Sequence, residues 1–271
     1  MRKLWYAIVA GLCGCCLMWS HLVAQDQVTD DRQTDTDAAA ALDWPLLFET
    51  AFASEDDLKQ WEFVGGEWSW AREAVELDSV EHGKLVLKKA PDRYTPPFRS
   101  PTQLALLKDV EVADFQLDVW VRSTHTPYGH RDVCFFFGYQ ASDRYYYAHL
   151  ADETDERANQ VFVVNLADRE KISQETTAGT PWDDSIHHVR IQRTAGNGRI
   201  EVYFDDMSRP IMRAEDRSFS NGRVGVGSFD DSAEYIRIEL RGVKRAVEDR
   251  QERPVPFAAF LNRAFFLGHR F

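Results

Sequence analysis

Apolar residues recur at every second position through the middle of the chain. Over residues 114–122, Phe115, Leu117, Val119 and Val121 alternate with Gln116, Asp118 and Trp120. Successive side chains of a strand point to opposite sides, so this run predicts a strand with one face on a core. The period returns with Ile200, Val202 and Phe204 against Glu201 and Tyr203, and with Ile236, Ile238 and Leu240 against Arg237 and Glu239. Val224 and Val226 alternate with glycines. Ala195-Gly196-Asn197-Gly198 predicts a hairpin turn, and Asn221-Gly222 a second turn. No helical period of useful length interrupts these runs between residues 44 and 242. About fourteen such strands exceed what one flat sheet holds and suit two packed sheets. The prediction is an all-β protein, a two-sheet antiparallel β-sandwich.

Three stretches are apolar on both faces: residues 133–139, the run Tyr145-Tyr146-Tyr147 and residues 161–164. Such strands lie centrally in a sheet, where their second face is either used or covered. Open rings on that face would form a platform for sugar rings. Long loops around residues 91–101 and 151–159 would instead close it. If residues 145–150 and 160–166 are neighbouring strands, Tyr145, Tyr147 and His149 could share a face with Val163 and Asn165, near Gln160 and Arg169. A histidine, an asparagine and tyrosine rings on one face would suit carbohydrate recognition; equally, His149 and Asn165 could be buried groups that satisfy loop backbone.

The loop His125–Asp132 feeds the central apolar strand, and loops at a cleft edge commonly carry function. His130 and Asp132 could act as a general acid/base pair, and Arg131 could bind a sugar oxygen. A loop salt bridge between Arg131 and Asp132, with His130 in solvent, is the plainer alternative. His125, His130 and Asp132 match no recognised metal motif. His187 and His188 are consecutive on a strand, so their rings face opposite ways. Cys134 lies in an apolar strand and reads as a buried inert thiol.

The ends differ from the middle. Arg2 and Lys3 precede an apolar stretch ending near Ala24, a pattern expected of a secretory signal over residues 1–24. Cleavage after Ala24 would release a soluble protein; the run Leu12-Cys13-Gly14-Cys15 also resembles a lipobox, in which Cys15 would be lipidated and anchor the chain to a membrane. Residues 25–43 form an acidic stretch expected to be a solvated linker. The protein is therefore expected to be exported, periplasmic or extracellular. Signal cleavage leaves Cys134 alone, so no internal disulfide is expected, and without a Cys-x-x-Cys pair no zinc site of the usual kind is expected either. In residues 243–271, Phe257, Phe260, Leu261, Ala264 and Phe265 recur at helical spacing, predicting a short amphipathic C-terminal helix that docks on the sandwich or meets a partner or membrane surface.

The chain has 271 residues and a net charge of −12, from 32 basic and 44 acidic side chains, which argues against nucleic acid as a partner. Aromatic residues reach 13%, which favours a carbohydrate ligand without requiring one.

The opening LFETAFASEDDLKQWEFVGGEWSW, the middle DFQLDVWVRS and the ending IEVYFDD…SFSNGRVGVGSFDDSAEYIRIEL resemble the concanavalin A-like lectin/glucanase superfamily. Within it, the chain is similar to exported domains of 3-keto-disaccharide hydrolase type. The resemblance implies a jelly-roll sandwich that recognises or processes carbohydrate, either as a hydrolase or lyase of modified sugars or as a non-catalytic glycan-binding module; an envelope interaction protein is the third reading. The glucanase run Glu-x-Asp-x-Glu is absent, so the paired-carboxylate hydrolysis of that branch is not expected. No cofactor is required. Sandwiches of this class can hold structural calcium through aspartates, and Asp230 and Asp231, or Asp205-Asp206, are the paired acids available.

Overall fold

The computed structural model describes residues 44–77, 80–89 and 94–245, and no side chain within 73–82. The expected leader, Cys15, the linker and the tail beyond Arg245 lie outside the described residues. Sixteen strands follow in chain order: β1 (Leu46–Thr50), β2 (Trp61–Val64), β3 (Glu67–Leu77), β4 (Val80–Lys88), β5 (Gln103–Leu107), β6 (Glu111–Ser123), β7 (Asp132–Ala141) and β8 (Arg144–Ala151). After them come β9 (Gln160–Asn165), β10 (Glu170–Lys171), β11 (Ser173–Thr176), β12 (His187–Thr194), β13 (Arg199–Phe204), β14 (Met212–Glu215), β15 (Arg223–Ser228) and β16 (Ala233–Arg245). One 3-10 turn, Glu55–Gln60, joins β1 to β2. The last strand runs past Gly242, the boundary expected from the sequence, because Lys244 and Arg245 still pair with Val112 and Glu111.

The strands form the expected two antiparallel sheets. The nine-stranded sheet has the order β11-β14-β13-β12-β6-β16-β4-β3, with β1 also on β16; the seven-stranded sheet runs β10-β9-β8-β7-β15-β5-β2. β16 therefore lies between β6 and β4, and is the only described link between β3–β4 and the rest of its sheet. Phe115, Leu117, Val119 and Val121 of β6 are buried against Val133, Phe135 and Phe137 of β7, as the alternation predicts. Ile200, Val202 and Phe204 join the same core, with Val224, Val226, Ile238 and Leu240.

The predicted turns are served by their glycines in different ways. Gly198 closes the β12–β13 hairpin at φ +80°, a left-handed conformation open to glycine. Gly222 instead pairs with Val112 and passes so close to Gly138 that a Cβ would overlap its backbone. No described helix is long and apolar enough to cross a membrane.

Candidate functional site

On β7, Asp132, Cys134 and Phe136 take the outward positions while Val133, Phe135 and Phe137 face the core. Cross-strand partners share a face, so Cys134 stands opposite His149 and Phe136 opposite Tyr147 on β8. β9 is the neighbour of β8, the adjacency on which the expected grouping depends. Its register is Tyr145 with Val164, Tyr147 with Phe162 and His149 with Gln160. Val163 and Asn165 pair with Tyr146 and Arg144, so they face the other way, and Asn165 is exposed. The expected grouping of Asn165 with His149 is thus corrected by one residue of register, which inverts every side chain of a strand.

The rings of this face are not an open platform. Tyr145 is 1% and Tyr147 0% exposed. Tyr94 and Phe98 pack over them from the segment before β5. Arg169 Nη1 donates to the Tyr147 hydroxyl at 2.8 Å. Its guanidinium lies 4.6 Å from the Phe162 ring and 4.8 Å from that of Phe229. The cover is tied down where Arg99 N–H donates to Asp168 Oδ1 at 2.8 Å. Burial raises both tyrosine hydroxyls above their ordinary pKa. Substrate-binding roles for Tyr145 and Tyr147 as exposed rings therefore give way to packing roles.

At the end of this face, Asp132 is 1% exposed and heavily engaged. Its Oδ1 accepts Ser228 Oγ at 2.8 Å; its Oδ2 accepts Phe229 N–H at 3.0 Å and the Cys134 thiol at 3.2 Å. His149 Nε2 stands 3.1 Å from the same Oδ2 as an ion-pair contact without hydrogen-bond alignment. His149 Nδ1 lies 3.0 Å from the Arg157 carbonyl. Burial works to raise the Asp132 carboxyl, but His149 and the N–H of Phe229 outweigh it and hold it below the ordinary value. Asp231 is pushed the other way, by burial and then by repulsion from Asp132.

Asp231 Oδ2 accepts the Asp132 N–H at 3.0 Å and the Tyr128 hydroxyl at 2.8 Å. Its Oδ1 makes no hydrogen bond and faces His125 Nε2 at 3.3 Å and Lys89 Nζ at 3.6 Å. Asp132, Asp230 and Asp231 do converge, with carboxylate oxygens within 4.8 Å of one another. Calcium takes about six to eight oxygens. Here Asp230 is exposed, and the free oxygen of Asp231 already faces the chain's own cations. The arrangement does not fit the expected calcium.

The residues of the preceding loop separate. His130 is half exposed and pairs with Asp155 Oδ2 at 3.0 Å, while the imidazole beside Asp132 is His149. The expected His130–Asp132 acid/base pair is not formed. Arg131 is buried and donates to Ser123 Oγ at 2.9 Å, Ser123 O at 2.8 Å and Asp183 O at 2.9 Å, so it ties loops together and is not presented to a ligand. Its carboxylate contact is Asp184, not Asp132. Tyr128 is 42% exposed, its ring 5.1 Å from that of His125 and its hydroxyl fixed on Asp231. Burial of the hydroxyl and the charge of Asp231 raise its pKa. The loop is braced where Glu153 N–H donates to Gly129 O at 2.8 Å.

The nine-stranded sheet presents a second polar surface, whose outward residues were visible in the alternation of β6 but not in their cross-strand company. Arg237, Trp120 and His188 form one row across β16, β6 and β12; Glu239, Asp118 and Arg190 form the next, and Arg241, Gln116 and Gln192 a third. His188 stacks on Trp120 at 4.3 Å between centroids, and Arg237 lies 5.0 Å from the same ring. Asp118 accepts from His188 at 2.7 Å and Arg190 at 2.8 Å. Burial works to raise its carboxyl, but these partners prevail and lower it. His187 points the opposite way from His188, as expected, to Asp183 and Asp205.

No protein-family model matches the chain, and no curated protein matches it. Among solved structures it is similar to the carbohydrate-binding module CBM66 from Bacillus subtilis, with 16% identity over 68% of this chain and 96% of that one, at a TM-score of 0.47. It is also similar to a Bacillus subtilis protein of unknown function with a galectin-like fold, with 14% identity, 74% and 97% coverage and a TM-score of 0.48. The exoplasmic/lumenal domain of VIP36, in a form bound to calcium and Man3GlcNAc, matches at 15% identity, 70% and 86% coverage and a TM-score of 0.40. None of these three carries the keto-sugar hydrolase name that the sequence resemblance implied.

Proposed function

We propose that this protein is a carbohydrate-recognition module that binds its ligand at the loop end of the sandwich, against Tyr128. The observation that carries the reading is a ring that is both exposed and fixed. Tyr128 is open to solvent on its ring, yet its hydroxyl is held at 2.8 Å by the buried Asp231. Sugar sites combine such a platform with a few placed polar groups. The His130–Asp155 pair, His125 and Lys89 supply these from the same loop and its neighbours. Turnover by Asp132 and Asp231 is disfavoured, since they are 1% and 0% exposed and a general acid or base must reach its substrate. The signal-like pattern of residues 1–24 supports a role outside the cytoplasm, with or without a lipid anchor on Cys15.

The test is a glycan array followed by calorimetric titration of any bound glycan, with product analysis of the same mixture. Tyr128→Ala should weaken binding about tenfold, equivalent to about 1.4 kcal/mol, while Tyr128→Phe keeps the ring and most of the affinity. A wild-type protein that retains no glycan, or a Tyr128→Ala variant that binds as tightly as wild type, overturns the proposal. Cleaved product would replace it with the hydrolase reading.

A further inference from the structure

Asp132 and Cys134 stand two residues apart on β7, and His149 is the direct cross-strand partner of Cys134. Pleating therefore delivers a carboxylate, a thiol and an imidazole to one spot, and all three are buried. Their ligand atoms lie within 4.8 Å of one another.

His149 Nδ1 lies 3.0 Å from the Arg157 carbonyl oxygen, which can only accept, so Nδ1 carries a proton. On the other side of the ring, His149 Nε2 faces the carboxylate oxygen of Asp132 at 3.1 Å. It makes no hydrogen bond there, although the His149 side chain is only 6% exposed. A buried ring nitrogen without a hydrogen bond, beside a carboxylate and a thiol, is a place that a cation can occupy. A backbone carbonyl on the far nitrogen is also the usual outer partner of a metal-ligating histidine.

We propose that Asp132 Oδ2, Cys134 Sγ and His149 Nε2 bind one borderline-soft divalent cation, for which Zn²⁺ is the probe. Zinc bonds of about 2.3 Å to sulfur and about 2.0–2.1 Å to nitrogen or oxygen set tetrahedral edges of roughly 3.3–3.6 Å. The observed 3.2 Å from Cys134 Sγ to Asp132 Oδ2 and 3.1 Å from His149 Nε2 to the same oxygen are close to that spacing. The ion displaces the thiol proton and any proton on His149 Nε2, and these leave to solvent. One thiolate, one carboxylate and one dication make a neutral centre, the kind a buried site tolerates. Ser228 Oγ and Phe229 N–H keep their bonds to Asp132 and orient it. The sulfur selects against calcium, which prefers oxygen cages.

The experiment uses the full chain carrying Cys13→Ser, Cys15→Ser and Cys16→Ser, so that Cys134 is its one cysteine. Produced with Zn²⁺ present and then desalted, it should retain about one zinc per chain, and Co²⁺ in its place should show a thiolate-to-cobalt charge-transfer band. Adding Cys134→Ser or His149→Gln should abolish the band and lower retained zinc at least tenfold, with the far-ultraviolet circular dichroism unchanged. If either variant does not fold, the cobalt spectrum of the parent decides alone: a thiolate band supports the site and its absence overturns it. Zinc not retained, zinc retained equally by both variants, or zinc displaced by millimolar Ca²⁺ overturns the proposal as well.

Discussion

The outward faces of the two sheets obey the same alternation and end up in opposite states. On the seven-stranded sheet the outward positions hold Phe136, Tyr145, Tyr147 and Phe162, and the chain folds Tyr94, Phe98 and Arg169 over them. On the nine-stranded sheet they hold Asp118, Arg190, Arg237 and Glu239, where Asp118 pairs with Arg190 across β6 and β12 and Arg237 with Glu239 along β16. Apolar area left in water costs about 25 cal/mol per Å², so the aromatic face gains from a cover. A charged face with its partners already in place gains little. Side-chain chemistry at the outward positions, and not the strand pattern, decides which face is closed.

Ring truncation should break this contrast most visibly. Phe136→Ala, on the covered face, is expected to cost about 3–5 kcal/mol in urea unfolding. Trp120→Ala, on the open face, should cost well under half of that; equal losses would mean that the open face is as tightly packed as the closed one. Tyr147→Ala should likewise lower stability while leaving glycan affinity per folded molecule unchanged.

The next effect lies within the charged ladder. Asp118→Asn should cost about 1–3 kcal/mol at neutral pH, since it weakens charge-assisted bonds from His188 and Arg190. The Asp118 carboxyl is lowered in the folded state, so its contribution is present above the unfolded value near about 4 and is lost as pH falls through the folded value. The variant should therefore lose less stability than wild type between neutral and strongly acidic pH, as measured by melting temperature. A parallel acid limb in both proteins would show that Asp118 is not the group responsible.

The smallest effect sharpens the comparison at its margin. Lys88 and Glu67 pair at 3.7 Å across the β3–β4 hairpin, each at least half exposed on the same sheet. Lys88→Ala should change stability by less than about 0.5 kcal/mol, and by less still in high salt. A larger loss would mean that the ladder acts as one cooperative network out to its edge.

Much of the fold was legible because its signals are local. The period of two in β6, the hairpin glycines before β13 and the two-sided apolar run of β7 each depend on a few consecutive residues. The state of the aromatic face stays open in the sequence between a sugar platform and a loop cover, and only the packing of Tyr94 and Phe98 from one of the two loops considered decides it. The site was less legible because its contacts are remote in sequence. Asp231 reaches Asp132 across nearly the whole second half of the domain, and Asp132 meets His149 through strand register. Register also explains the misplacement of Asn165, since residue pattern alone left one step undetermined. Arg131 reads as a ligand-binding cation only until its carbonyl partners at Ser123 and Asp183 are seen.

The place of β16 bears on how quickly the protein can fold. This strand comes last in the described chain yet lies between β6 and β4, with β1 paired to it as well. Until residues 233–245 arrive, the β3–β4 hairpin has no partner in its own sheet, whereas β2 and β5 already join β7 in the other sheet through β15. Pairings that span most of the chain raise contact order, which slows folding toward the millisecond-to-second range of all-β domains. Completion of the nine-stranded sheet should therefore be a late event, and an emerging chain should hold that sheet in two parts with unpaired edges until β16 joins them.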